Sequence, residues 1–285
     1  MKYCKKYIVV LVLCLTVLSG CSLPGLKNSS SDDEVRITSL GTSESQIISH
    51  MLRLLIEHDT DGKIKPTLIN NLGSSVIQHN AITSGQANMS GTRYTGTDLT
   101  GALGEDPIKD PDRAMKVTQK GFEEKFNQTF FNSYGFENTY ALMVTKETAQ
   151  KYNLETVSDL KKHAKDLRVG MDSSWQNRKG DGYPGFKQEY GIHFGTVRPM
   201  QIGLVYDALH SGNLDVAVGY STDGRIAAYD LKVLKDDKQF FPPYDASPLA
   251  TDKLLKEKPQ LKPIIEKLEG KISTEQMQEL NYQAD

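Results

Sequence analysis

Four tyrosines stand where the chain leaves or enters predicted strands. Tyr94 lies in Arg93-Tyr94-Thr95-Gly96-Thr97-Asp98, and Tyr140 closes Asn138-Thr139-Tyr140. Tyr220 lies in Gly219-Tyr220-Ser221-Thr222-Asp223-Gly224-Arg225, and Tyr244 in Phe241-Pro242-Pro243-Tyr244-Asp245. Taken singly, each ring reads as a half-buried packing residue. Taken together, they can line a box whose walls are electron-rich ring faces. Such a box suits a quaternary ammonium, which has no N–H to donate and spreads its charge over methyl groups; each ring attracts it by about 0.5–2 kcal/mol. A carboxylate at the far end of such a ligand would need a guanidinium, a hydroxyl or a backbone N–H. Arg178, in Trp175-Gln176-Asn177-Arg178, and the hydroxyl of Thr97 are the candidates, with a surface ion pair as the plainer reading of Arg178.

Other chemistry has little support. The sequence has no Gly-x-Ser-x-Gly, no Walker loop and no Gly-x-Gly-x-x-Gly. Its six His, at positions 50, 58, 79, 163, 193 and 210, do not fall at metal-ligand spacing. Asp59 and Asp61 resemble the start of a calcium loop, but the downstream acid is missing and a polar turn fits better. Asp236 and Asp237, between Lys235 and Lys238, read as a solvated turn. The expectation is a protein with no catalytic residue, no metal and no cofactor.

The N-terminus reads as an address. Lys2, Lys5 and Lys6 precede an apolar run from Ile8 to Leu18, which is too short to span a bilayer and suits an export signal. Leu18-Ser19-Gly20-Cys21 then matches the bacterial lipobox, so Cys21 is the expected acylated N-terminus after residues 1–20 are removed. Cys4 and Cys14 leave with the signal, so neither a disulfide nor thiol chemistry is expected. Residues 21–34, rich in Ser, Asp, Pro and Gly, cannot bury a core and read as a tether. The 285 residues carry 34 Lys plus Arg against 36 Asp plus Glu, a formal charge of −2 that falls to −5 once the three leader lysines are gone. That balance argues against a nucleic-acid partner. A mean hydropathy of −0.46 excludes a multi-span membrane protein.

Stepwise periodicity supplies the frame that must position the tyrosines. Strands are predicted at 35–39, 68–72, 87–93, 140–145, 168–172 and 214–219. Helices are predicted after a Ser43/Gln46 capping box, at 74–84, 111–126, 158–167, 200–210, 253–268 and 274–280, with a short one from Gly182. Strand–helix alternation implies parallel sheets with helices on their faces. The fold class is therefore α/β, in two groupings of similar size with a cleft between them, and ligands in such sheets sit beyond the carboxyl ends of strands.

Further stretches carry a family resemblance. They include Cys21-Ser22-Leu23-Pro24-Gly25-Leu26, Asn71-Leu72-Gly73-Ser74, Arg93-Tyr94-x-Gly96-Thr97-Asp98-Leu99, Val157-Ser158-Asp159-Leu160-Lys161 and Arg178-Lys179-Gly180-Asp181-Gly182-Tyr183. Met200-Gln201-Ile202-Gly203-Leu204-Val205-Tyr206-Asp207, Tyr220-Ser221-Thr222-Asp223-Gly224-Arg225 and Phe240-Phe241-Pro242-Pro243-Tyr244 complete the set. The chain resembles the substrate-binding lipoproteins of osmoprotectant ABC importers, the glycine betaine/carnitine/choline group of Gram-positive bacteria. The resemblance implies a type II periplasmic-binding-protein fold, with 35–138 plus 245–285 in the first lobe and 139–244 in the second. It implies a cage of Tyr94, Tyr140, Tyr220 and Tyr244, a substrate-range role for Thr97, and Asn138 and Arg178 near the ligand. Thr97 tilts the expectation toward a broad range of betaines. Leu40 stands where relatives often carry a polar side chain that reaches the ligand. The implied partners are the permease subunits of an ABC importer and the outer face of the cytoplasmic membrane, reached through the lipid, with a monomer as the simple expectation. Two other readings stand beside it: a receptor for another zwitterion such as an amino acid, and a sensor or enzyme on the same two-lobe scaffold.

Overall fold

A computed structural model describes residues 34–177 and 180–285. The leader, Cys21, the tether up to residue 33, and Arg178 lie outside the described residues. The chain builds two five-stranded sheets. The first contains β1 (Arg36–Leu40), β2 (Thr67–Leu72), β3 (Met89–Tyr94), β4 (Gln128–Phe130) and β10 (Ala246–Thr251), in the order β2-β1-β3-β10-β4. The second contains β5 (Tyr140–Thr145), β6 (Arg168–Met171), β7 (Thr196–Pro199), β8 (Val216–Tyr220) and β9 (Leu231–Val233), in the order β7-β6-β8-β5-β9. Both follow one plan: three parallel strands, then an antiparallel strand against the third. That antiparallel strand is where the chain arrives in the second sheet (β5) and where it returns to the first (β10).

Helices α1 (Ser43–Asp59), α2 (Ser75–Thr83), α3 (Thr95–Gly101) and α4 (Pro111–Phe126) follow the early strands. Then come α5 (Lys146–Tyr152), α6 (Ser173–Asn177), α7 (Tyr183–Tyr190), α8 (Ile202–His210) and α9 (Gly224–Ala228). The chain ends in α10 (Asp252–Glu257), α11 (Leu261–Glu266) and α12 (Thr274–Ala284). No helix among the described residues is long and apolar enough to cross a membrane.

Alternation along the strands splits each core in two. In β5, Leu142 and Val144 join Trp175 and Val218 on one face, while Ala141 and Met143 join Tyr206 and Leu209 on the other. In the first sheet, α1 buries Ile48, Leu52 and Ile56, spaced one turn apart, against Ile37 and Met89. Leu249 faces the opposite side, with Leu99, Phe122 and Phe130.

Several expectations shift. The cap of α1 is Thr42, whose side chain accepts from the Ser45 N–H, so Ser43 is already helical. The helix expected at 158–167 is two tight turns, Val157–Lys162 and Ala164–Asp166. The one expected at 253–268 breaks between α10 and α11, at Lys258-Pro259-Gln260, because proline disfavours helical backbone before it and lacks the N–H.

Two segments cross between the sheets and pair with each other. Glu137 bridges Asp245, the Asn138 N–H donates to the Tyr244 carbonyl (3.1 Å), and the Ala246 N–H donates to the Phe136 carbonyl (3.0 Å). Helix α12 touches both sides: Met277 is buried in the core of the first sheet, while Gln278 and Asn281 donate to the Ser221 and Thr222 carbonyls, each at 2.7 Å.

Burial raises the Asp245 carboxyl above its ordinary value, and the Asp112 charge adds to the shift. A carboxyl that holds its proton more tightly folded than unfolded costs stability once ionised, and the cost disappears as pH falls toward about 4, the ordinary carboxylate value. Asp245→Asn is therefore expected to raise the melting temperature at pH 7, with the gain shrinking as pH falls to about 4.5. Thermal denaturation of both proteins across that range checks it; a pH-independent difference would contradict it.

Candidate ligand-binding site

The site is built where β3, β5 and β8 end or begin and where the chain returns toward β10. At the end of β3, Arg93 and Tyr94 point to opposite sides. Arg93 is 2% exposed and is gripped at two points by Asp98 of α3, with Nε 2.8 Å from Oδ2. Its guanidinium also lies 5.8 Å from the Phe122 ring centre. A buried pair of this kind is costly to desolvate and tolerable only with good geometry; here it locks the turn after Tyr94.

The Tyr94 hydroxyl donates to Glu44 Oε1. The Asn138 amide donates to the same oxygen at 3.1 Å. Burial, reinforced by the Glu44 charge, holds the Tyr94 hydroxyl well above its ordinary pKa, so the ring stays neutral and remains a donor. Glu44 is 2% exposed and sits in the first turn of α1.

On the second sheet, register places Tyr140 directly opposite Tyr220. Their ring centres are 5.1 Å apart. Tyr220 is held by its backbone: its N–H donates to the Tyr206 hydroxyl at 2.7 Å. That hydroxyl occupies the space beside Gly219, where an added Cβ would lie 2.4 Å from the oxygen. Tyr206 in turn lies under the Arg225 guanidinium (4.4 Å), which Asp223 holds at two points. Tyr220 itself is 37% exposed, facing open space. Behind Tyr140 stand Trp175 (6.1 Å) and Phe241 (6.4 Å). Trp175 is fully buried with its indole N–H on the Asp181 carbonyl (2.9 Å), so it backs the Tyr140 ring and is closed to solvent.

Tyr244 packs on Gly96, where a Cβ would lie 2.7 Å from the Pro243 carbonyl and 3.0 Å from the Tyr244 ring. It faces a cavity of about 430 Å³ shared with Thr100, Asp181 and Gln188. Tyr220, Glu44 and Asn138 line a second cavity, of about 260 Å³. The structure thus joins Tyr94 and Asn138 through Glu44, sets the Tyr140 and Tyr220 rings against each other at a tilt, and links Tyr244 to Asn138 through the backbone, but it does not bring the four rings onto one cavity: Tyr140 lines another, of about 660 Å³, and Tyr94 lines none of those described. Thr97 faces a further, small cavity of about 60 Å³ with His79, Arg93 and Asp98, and lines none of the others. Leu40 is half-buried, with its N–H on Ser45 Oγ (2.9 Å). Glu44, Trp175 and Tyr206 are the site residues that sequence reasoning missed. Among the described residues, no group of three His, Cys, Asp or Glu is placed to hold a metal ion.

Known proteins share this architecture. Residues 33–285 match OpuAC, the substrate-binding domain of ABC-type glycine betaine transport systems. The carnitine transport binding protein OpuCC of Listeria monocytogenes serotype 1/2a (strain 10403S) is 56% identical over 284 residues, covering 100% of this chain and 91% of that protein. A crystal structure described as a glycine betaine/carnitine/choline ABC transporter aligns with a TM-score of 0.87 at 76% identity, over 88% of this chain and 92% of the other. Apo YehZ from Escherichia coli aligns with a TM-score of 0.77 at 21% identity, over 88% and 92% of the two chains, which extends the likeness in fold. With the type II periplasmic-binding-protein fold, the tyrosines at its strand ends and these likenesses together, the chain belongs to the OpuAC family of substrate-binding domains of ABC-type glycine betaine transport systems.

Proposed function

We propose that this protein is a lipid-anchored receptor on the outer face of the cytoplasmic membrane. It captures quaternary-ammonium osmoprotectants such as glycine betaine, carnitine and choline and hands them to the permease of an ABC importer. Tyr94, Tyr140, Tyr220 and Tyr244 form the cage, and Asn138 organises it. The observation that carries the reading is the register match that sets Tyr140 against Tyr220, one ring buried and the other 37% exposed, beside a cavity that Glu44 and Asn138 also line. A trimethylammonium head gives up its water on entering such a cavity and recovers the loss from ring faces, since it has no hydrogen bonds to lose. The name of the 56% identical Listeria protein, a carnitine transport binding protein, supports the same ligand class. Thr97 tunes the accepted range from behind the Arg93–Asp98 pair, and Arg178 pairs with the ligand carboxylate. The two lobes, 35–138 plus 245–285 and 139–244, close on the ligand about the paired crossover segments, which excludes water and gives the permease a shape to recognise.

Calorimetric titration of the unlipidated protein tests the cage. Tyr220→Ala is expected to weaken glycine betaine binding by about tenfold, and Tyr220→Phe to change it little, because the ring supplies the attraction. The partial exposure of Tyr220 leaves the fold of both variants intact, and unchanged melting curves confirm that. Equal losses in both variants would contradict the cage. The anchor is tested separately: the full chain expressed in a Gram-positive host is expected in the membrane fraction with an acylated Cys21, and Cys21→Ser in the medium or unprocessed. Membrane retention of a processed Cys21→Ser protein would contradict lipid anchoring.

A further inference from the structure

Tyr220 takes a support from far along the chain. Strand β8 stops at Tyr220, and the next two residues, Ser221 and Thr222, are buried in a turn where their carbonyls have left the ladder. A buried carbonyl needs a donor. Both donors come from α12: Gln278 Nε2 is 2.7 Å from the Ser221 oxygen, and Asn281 Nδ2 is 2.7 Å from the Thr222 oxygen. These two side chains lie three residues apart, on one stripe of the helix. The neighbouring stripe, Met277 and Leu280, packs into the core of the first sheet. Contact stays close past the turn, since a Cβ at Gly224 would lie 2.5 Å from the Tyr282 nitrogen. Ser221 is also tied to the first crossover segment: its N–H donates to the Thr139 carbonyl (2.9 Å) and its hydroxyl to the Glu137 carbonyl (2.9 Å). The turn after Tyr220 is thus clamped between that crossover and α12. Asn281 is 6% exposed, and the Thr222 carbonyl can only accept, so the amide nitrogen faces it. Among the described residues, its Oδ1 has no hydrogen-bond partner. A half-paired buried amide costs stability that an apolar side chain of the same size would not; what the amide provides is a fixed position for Thr222.

We propose that Gln278 and Asn281 are positioning residues for ligand binding, which hold the turn after Tyr220 against the first sheet and so fix where the Tyr220 ring stands. The inference rests on the reading of Tyr220 as a ring of the quaternary-ammonium cage. The ring is 37% exposed with Tyr140 as its ring partner, so its place depends on its backbone. That backbone is held by the Tyr206 hydroxyl and, one and two residues on, by α12. Without the two amides the Ser221 and Thr222 carbonyls are left unpaired, and the turn shifts to reach water. A cation gains from a ring only while it lies over the ring face, so a ring displaced with its backbone loses the contact. Helix α12 thus joins the two sheets a third time, beside the two crossover segments, and does so next to a cage ring.

A mutant cycle with the ring is the direct test. Gln278→Met together with Asn281→Leu removes both donors and keeps the side-chain bulk. Glycine betaine is titrated calorimetrically into four proteins: wild type, this variant, Tyr220→Ala, and the two combined. The variant is expected to weaken binding by about fivefold when Tyr220 is present and by less than about twofold when it is absent, because what is lost is the placement of that ring. An equal loss in both backgrounds would mean that α12 supports the fold in general. No loss in either would mean that the two amides do not place the ring. Each of these results overturns the proposal and leaves the cage reading standing. A Tyr220→Ala protein that binds as tightly as the wild type, or a wild type that does not bind glycine betaine, would overturn the cage role of Tyr220 and the proposal with it. If the Gln278→Met/Asn281→Leu protein does not fold, Gln278→Met alone decides by the same cycle, since Gln278 is half-buried and its replacement leaves the Asn281 bond in place.

Discussion

The antiparallel pairing of the two crossover segments is the contact on which the rest of this site depends. Through Glu137–Asp245 and the two backbone bonds beside it, the end of the first sheet and the start of the second are fixed in register. Asn138 sits in that pairing and donates twice: its N–H holds the Tyr244 carbonyl, and its amide holds Glu44, which holds Tyr94. Two residues on, Tyr140 begins β5 and meets Tyr220. Rings drawn from four distant stretches of sequence are thereby placed by a few backbone bonds, not by the flexible geometry of loops.

The electrostatics of the site follow from what surrounds each polar group. Arg93 and Asp98 satisfy each other, Arg225 and Asp223 satisfy each other, and both pairs stand behind the tyrosines as struts. Burial and Glu44 keep the Tyr94 hydroxyl protonated, and burial keeps the Tyr206 hydroxyl protonated too, so the rings near the site remain neutral. What is left at the cavity of about 260 Å³ is the exposed Tyr220 ring, beside Asn138 and the buried Glu44. Such a surface offers little to a ligand that must donate several hydrogen bonds, and much to a diffuse cation.

The sequence disclosed the site where local pattern and tertiary role coincide. Tyr140 to Val144 is a short continuous apolar run, buried on both faces, and forms β5; Asp110-Pro111 opens α4 with the acid as cap and proline in the first turn. The tyrosines could be singled out because strand ends in a sheet with helices on its faces are where a ligand is to be looked for. Strands β4 and β9 were hidden by being three residues long, and β10 by Pro248 within it. Glu44 was hidden by its address: a glutamate in the first turn of a helix has a sufficient local reason to be there, as a partner of the helix N-terminus. Its bond to Tyr94, fifty residues away, exists only in the folded chain. Thr97, close to Tyr94 in sequence, lines a separate small cavity together with Arg93 and Asp98.

The central claim is that ring faces, not hydrogen bonds, hold the ligand head. The measurement that tests it most directly is calorimetric titration of the wild-type protein with glycine, N-methylglycine, N,N-dimethylglycine and glycine betaine. These ligands share one carboxylate and differ only in how many ammonium hydrogens are replaced by methyl groups. The account predicts affinity that rises with each methyl and is greatest for glycine betaine. Affinity that is flat across the series, or greatest for glycine, would contradict it.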